Sequence, residues 1–189
     1  MAAAKSGLSF LIRGGPGTGK SHIARRVVEA VAPQKMCYVV SFTNAAVANL
    51  AGLPARTMTL DRFVTRVLHR DALVTPCLIL WDEVFFASTN MLARFSKIQV
   101  YGDVQIVACG DPHQLQCPDN HWKGTPCPCA LRGSQMLGSM CPTQCNLRTC
   151  RRFDQTLQGF CHSILRRDGD IPALVSQGKQ LWPSTSAHT

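Results

Sequence analysis

Gly14-Gly15-Pro16-Gly17-Thr18-Gly19-Lys20-Ser21 has the spacing G-x-x-x-x-G-K-S, and its residue types suit the holding of a phosphate chain. Glycines let the backbone wrap closely, so that N–H groups and the N-terminus of a following helix face an anion. Lys20 is then placed to hold the β and γ phosphates of a nucleoside triphosphate, and Ser21 to ligate magnesium. Kinases, switch GTPases and motors all use such a loop, so a second group must separate them. Asp82-Glu83 supplies it. An apolar strand ending in Asp82 sets a carboxylate beside the metal ion, and the adjacent Glu83 can polarise a water for attack on the γ phosphate. The pair suits hydrolysis rather than transfer to a substrate hydroxyl, although two acids at a strand end also make a helix cap.

These groups need strands to carry them and helices to turn the chain back. Residues 8–12 are a short apolar run that enters the glycine loop, and residues 21–31 place apolar side chains at helical spacing until Pro33 stops them. Further strands are predicted over 36–42, 77–81 and 104–109, with helices over 45–51 and 60–69 and around 91–95. Strands alternating with helices predict an α/β fold, a parallel, doubly wound sheet with helices on both faces. Residues 117–146, rich in Pro, Gly and Cys, break the pattern and predict an irregular insertion. Regular structure is expected to resume near Asp154 with a helix to Arg167, and the chain from Ile171 carries no strong period. The expected organisation is one ATPase domain over 1–170, then a tail or the start of a second domain over 171–189.

The chain of 189 residues is 46% hydrophobic, enough to fill a core, which excludes a disordered protein. A formal charge of +9 fits a polyanionic partner such as nucleic acid, or equally a plain basic surface. No apolar run is long enough to span a bilayer or to form a signal-peptide core, so the expected setting is intracellular, nucleus or cytoplasm, with no membrane partner. Most of the ten cysteines are then expected as reduced thiols. Cys127, Cys129, Cys141 and Cys145, with Cys117, His113 and His121 nearby, are either loop thiols or ligands of a structural zinc.

Three further segments follow in order. Ser41-Phe42-Thr43-Asn44-Ala45-Ala46-Val47-Ala48-Asn49-Leu50 resembles motif Ia of the superfamily 1 helicases, Gly110-Asp111-Pro112-His113-Gln114-Leu115 resembles motif III, and Leu147-Arg148-Thr149-Cys150-Arg151-Arg152-Phe153-Asp154 resembles motif IV. The motif order is similar to the RecD and Pif branch. The resemblance implies a RecA-like phosphate-loop NTPase fold, the first motor domain of a helicase that hydrolyses ATP with magnesium. It implies that Thr43 and Asn44 contact the backbone of single-stranded DNA or RNA, that Gln114 senses the γ phosphate, and that Arg151 contacts the phosphates. Thr43 or Asn44 would also serve as a plain helix cap, and Arg151 as part of a basic patch with Arg148, Arg166 and Arg167. Thr57-Met58-Thr59 resembles the family's short T-I-H segment with Thr59 replacing the histidine. Motifs V and VI do not occur in this sequence, so a second motor domain in the full-length protein is an expected partner. A nucleotide-gated binding module without turnover, and a phosphate-loop kinase, are the alternatives; a kinase leaves residues 110–115 unexplained.

Overall fold

The computed structural model describes residues 4, 6–113, 121–122, 125–126 and 137–147, all within the compact unit Met1–Thr149. Strand β4 (Cys77–Trp81) shows why a sheet forms: all five residues are buried. A run that is apolar on both sides has no solvent face and must sit in the middle of a parallel sheet covered by helices. Its neighbours are β2 (Met36–Ser41) and β5 (Val104–Gly110), and β1 (Phe10–Gly14) lies beyond β5. With β3 (Arg56–Thr59) and β8 (Thr143–Leu147) at the edges, the order is β3-β2-β4-β5-β1-β8, with every neighbouring pair parallel.

The two faces follow from the period of two along each strand. Ile12, Cys37, Val39, Leu78, Leu80, Val107 and Cys109 share one core with Ala24, Val27, Val28 and Val31, the i, i+3, i+4, i+7 stripe of α1 (Lys20–Val31). Leu50 and Leu53, following the short α2 (Asn44–Asn49), join that core. The alternate residues Leu11, Tyr38, Val40, Ile79, Trp81, Ile106 and Ala108 face the second core. That face is covered by α3 (Leu60–Phe63), its π-helical continuation Val64–Leu68, and α4 (Thr89–Phe95) with the 3₁₀ turn Ser96–Val100. Trp81 packs on Phe95 with ring centroids 4.3 Å apart, and Phe63 bridges Phe95 and Tyr38 at 5.9 and 5.5 Å. Such aromatic pairs are worth about 0.5–1.5 kcal/mol each beyond the area they bury.

The end of the expected irregular insertion is regular. Thr143–Leu147 runs parallel to β1, from Phe10 opposite Thr143 to Gly14 opposite Leu147, and residues 137–140 form a helical turn whose Leu137 and Met140 enter the second core. The strand escapes a sequence reading because Thr143, Gln144, Cys145 and Asn146 are exposed at an edge and have no apolar alternation. Residues 121–122 and 125–126 (β6 and β7) pair as a short antiparallel ladder. The expected helix from Asp154, the boundary at 170 and the tail lie outside the described residues. Among the described residues no helix is long and apolar enough to cross a membrane.

Candidate nucleotide site

In a parallel sheet the loops that leave the C-terminal ends of the strands share one edge, where open α/β sheets bind ligands. Gly14 ends β1, Ser41 ends β2, Trp81 ends β4 ahead of Asp82 and Glu83, and Gly110 ends β5. The glycine loop, motif Ia, the acidic pair and the start of motif III are thereby brought to the same edge.

The loop requires its glycines. Gly17 and Gly19 hold φ of 72° and 90°, the left-handed region that side chains disfavour. A Cβ on Gly14 would lie 2.5 Å from Thr18 Oγ1, 3.0 Å from Leu147 Cβ and 3.2 Å from Leu147 O. Thr18 Oγ1 donates to Gly15 O at 2.9 Å, and Lys20 Nζ donates to Gly14 O at 2.7 Å and to Gly15 O at 2.8 Å. Two of the three ammonium donors thus pin the loop, leaving the third for an anion. Gly19 caps α1 without any side chain, and the first turn holds no acid, so no carboxylate of that turn competes for its N–H groups. Ser21 is exposed at the second position of α1.

Asp82 lies across β5 from the loop, and its environment ties the two together. Cys109, fully buried on β5 opposite Ile12 of β1, donates its S–H to Asp82 Oδ1 at 3.0 Å. Burial, then the charge and hydrogen bond of Asp82, hold the Cys109 thiol well above its usual range, while the charge of Lys20 opposes them. Lys20, Asp82 and Cys109 therefore form one electrostatic group. Glu83 adopts φ 56°, and its N–H donates to Asp82 Oδ1 at 3.1 Å. Partial burial, then the neighbouring Asp82 charge, raise the Glu83 carboxyl above its ordinary value, and the Ser41 hydroxyl opposes the rise. Ser41 Oγ is fully buried and makes no well-aligned hydrogen bond among the described residues, so it lies near Glu83 without being saturated by it.

Thr43 is the N-cap of α2, its hydroxyl accepting from Ala46 N at 3.1 Å, and Asn44 opens the helix; both are exposed. The capping role is thus observed, and exposure leaves both side chains reachable. Arg25 of α1 donates to Asn49 O and ties α2 to α1. Thr59 ends β3 and caps α3 by accepting from Arg62 N at 3.4 Å. In motif III, Asp111 is buried and accepts from His113 N at 2.9 Å. A Cβ on Gly110 would meet Phe85 Cδ2 at 2.7 Å, so Phe85 covers the start of motif III, with the Arg13 guanidinium 5.7 Å from its ring centroid. Phe85 packs against the second core, whereas Phe86 meets Phe42 edge-on at 4.6 Å. Gln114 and Arg151 lie outside the described residues, as do Cys117, Cys127, Cys129 and the side chain of His121. Cys141 is a core thiol, 3.8 Å from Ile106 O and pushed up to about 12 by burial, and Cys145 is exposed on β8.

Sequence reasoning overlooked Cys109, Ser41 and Arg13. Each acts across strands; Ser41 opens the quoted motif Ia segment, and Arg13 and Cys109 stand next to the glycine loop and motif III, but a linear pattern assigns none of them a partner. The donors present fit a magnesium nucleoside triphosphate: a cradle at Gly14 that any Cβ would fill, open helix amides, one ammonium and one carboxylate.

Residues 1–124 match the family model described as AAA domain. No curated protein matches the chain in sequence. Among solved structures, the Pif1 helicase from Candida albicans is similar at 17% identity and TM-score 0.63, covering 86% of this chain and 41% of that one. A Pif1 helicase from Bacteroides in complex with ADP-AlF3 and ssDNA is 16% identical with TM-score 0.61, covering 86% of this chain and 43% of that one. Bacteroides Pif1 bound to ssDNA is 17% identical with TM-score 0.55, covering 83% and 42%. The chain spans about two-fifths of the length of these helicases. It belongs to the AAA-domain family, and its parallel sheet has the RecA-like fold found in those Pif1 helicase structures.

Proposed function

We propose that the chain is the first ATP-hydrolysing motor domain of a nucleic-acid helicase, which couples hydrolysis to binding of, and movement along, a single strand. The observation that carries the proposal is the convergence of Lys20, Asp82 and Glu83 at one edge of the sheet, linked through Cys109. Lys20 and the amides of residues 15–21 hold the β and γ phosphates. Ser21 and Asp82 hold magnesium, which supplies charge neutralisation at the phosphate oxygens. Glu83 takes the proton of the attacking water; a carboxyl whose pKa is raised is a stronger base. By the family resemblance the base is adenine, Gln114 reports loss of the γ phosphate, and Arg151 steadies charge developing in the transition state.

Thr43 and Asn44, exposed beside this edge, are the proposed contacts to the strand's backbone. DNA is the track favoured by the ssDNA complexes of the similar Pif1 helicases. A second motor domain in a longer protein would complete the clamp on ATP and the strand, and the working site is intracellular. The test is fluorescence anisotropy of a labelled oligo-dT and its RNA counterpart against salt. Binding should weaken as salt rises, with a slope of about −0.7 per phosphate neutralised. Thr43→Val with Asn44→Ala should weaken it further. Binding indifferent to salt and to both substitutions contradicts the strand-contact assignment.

A further inference from the structure

We propose that Cys109 is a positioning residue for the magnesium-binding carboxylate. Its S–H and the Glu83 N–H both engage Asp82 Oδ1, at 3.0 and 3.1 Å, leaving Oδ2 as the oxygen with no donor among the described residues. Two donors on one oxygen fix the rotation of a carboxylate, so the metal is met by an oxygen already in place. Both donors are rigid. The thiol is fully buried in the middle of the sheet, with β1 on one side and β4 on the other, in a register that sets Ile12 opposite Cys109 and Trp81 opposite Ala108. The amide belongs to the peptide bond that directly follows Asp82 where the chain leaves β4. Cys109 touches neither nucleotide nor metal. It acts through Asp82, and it explains why a hydrogen-bonding side chain occupies an otherwise apolar core position among Ile12, Val107 and Leu80.

The inference rests on the magnesium-nucleotide reading above, and the experiment separates the two. Binding of a non-hydrolysable ATP analogue to the full chain is titrated at a series of magnesium concentrations and in EDTA, for the wild type, Cys109→Ala, Cys109→Val and Cys109→Ser. The valine variant refills the volume without a donor, which keeps the test open where alanine fails to fold. Cys37→Ala, a buried thiol in the same core and remote from the carboxylates, controls for packing loss. Loss of an orienting partner costs 10–100-fold in metal affinity, and a thiol is a weak donor, so the expected rise in the half-saturating magnesium concentration is about tenfold for Ala and Val. Serine, which keeps a donor, should stay within about threefold of wild type. Affinity in EDTA should be unchanged. Equal magnesium dependence in Cys109→Val and Cys37→Ala, or an equal loss with and without magnesium, overturns the positioning role. A wild type that binds the analogue identically with and without magnesium overturns instead the reading on which it rests.

Discussion

Replacing Glu83 by asparagine should make the protein more stable and much less active. Glu83 sits at φ 56°, ψ 39°, a conformation that costs a non-glycine residue about 1–2 kcal/mol. It also places a second carboxylate beside Asp82, which with burial raises its pKa. Asparagine tolerates the left-handed region and carries no charge. Recovering about half to one kcal/mol of the strain corresponds to a rise in Tm of about 1–4 °C for a domain of this size. Glycine relieves the same strain but loses about 0.5–1 kcal/mol to backbone entropy, so Glu83→Gly should melt close to wild type. Glutamine removes the charge and keeps the strain, so Glu83→Gln should fall below Glu83→Asn. In every case the loss of the general base should cut turnover by about 10²–10⁴. Thermal unfolding without nucleotide and phosphate release with it, on the same preparations, read both effects. An asparagine variant no more stable than the glutamine variant refutes the strain argument, and one that hydrolyses within tenfold of wild type refutes the assignment of Glu83.

The raised carboxyl of Glu83 also fixes a pH dependence: the folded state holds that proton more tightly, so stability is lost as pH rises from the ordinary 4.5 through the folded value. The advantage of Glu83→Gln at neutral pH should accordingly shrink as pH falls through the folded value and approach zero below about 4.5, which denaturation at a series of pH values checks. Gly14→Ala drives a Cβ against Thr18 Oγ1 and the Leu147 backbone, and should cost about 1–3 kcal/mol in denaturant unfolding while weakening nucleotide binding. Lys20→Ala should abolish nucleotide binding by calorimetry, because it removes both the phosphate charge and the two bonds that pin Gly14 and Gly15. Cys37 and Cys77, held at about 11 by burial, and Cys141, held at about 12, are neutral at pH 8 and should resist alkylation, whereas Cys145 reacts; peptide mapping distinguishes them.

The parts of the fold that a sequence reveals are those where one residue pattern has one physical solution. Cys77–Trp81 reads as a central strand because five apolar residues between turns have nowhere else to go, and residues 14–21 read as a phosphate loop because their glycines meet a lysine at fixed spacing. The edge strand Thr143–Leu147 was hidden by its polarity, since an edge is held by ladder bonds to β1 more than by side-chain burial. Within the site, Asp82 and Glu83 were legible as a pair at a strand end, but the left-handed turn of Glu83 has no residue signature, glutamate being an uncommon occupant. Cys109 and Ser41 were illegible for a different reason. Their partners lie on neighbouring strands, and which strands are neighbours follows from an order, β2-β4-β5-β1, that the chain does not spell out. The roles given to Gln114 and Arg151 rest on resemblance alone.

The central claim is that Glu83 drives hydrolysis of ATP held by residues 14–21 and that a single strand accelerates it. Phosphate release from magnesium ATP by the purified chain, with and without oligo-dT or RNA and beside Glu83→Gln, tests it most directly. The account predicts slow release that at least one polymer stimulates and that Glu83→Gln abolishes while still binding nucleotide. Release that Glu83→Gln leaves intact, or ATP bound but never cleaved with either polymer, would contradict it.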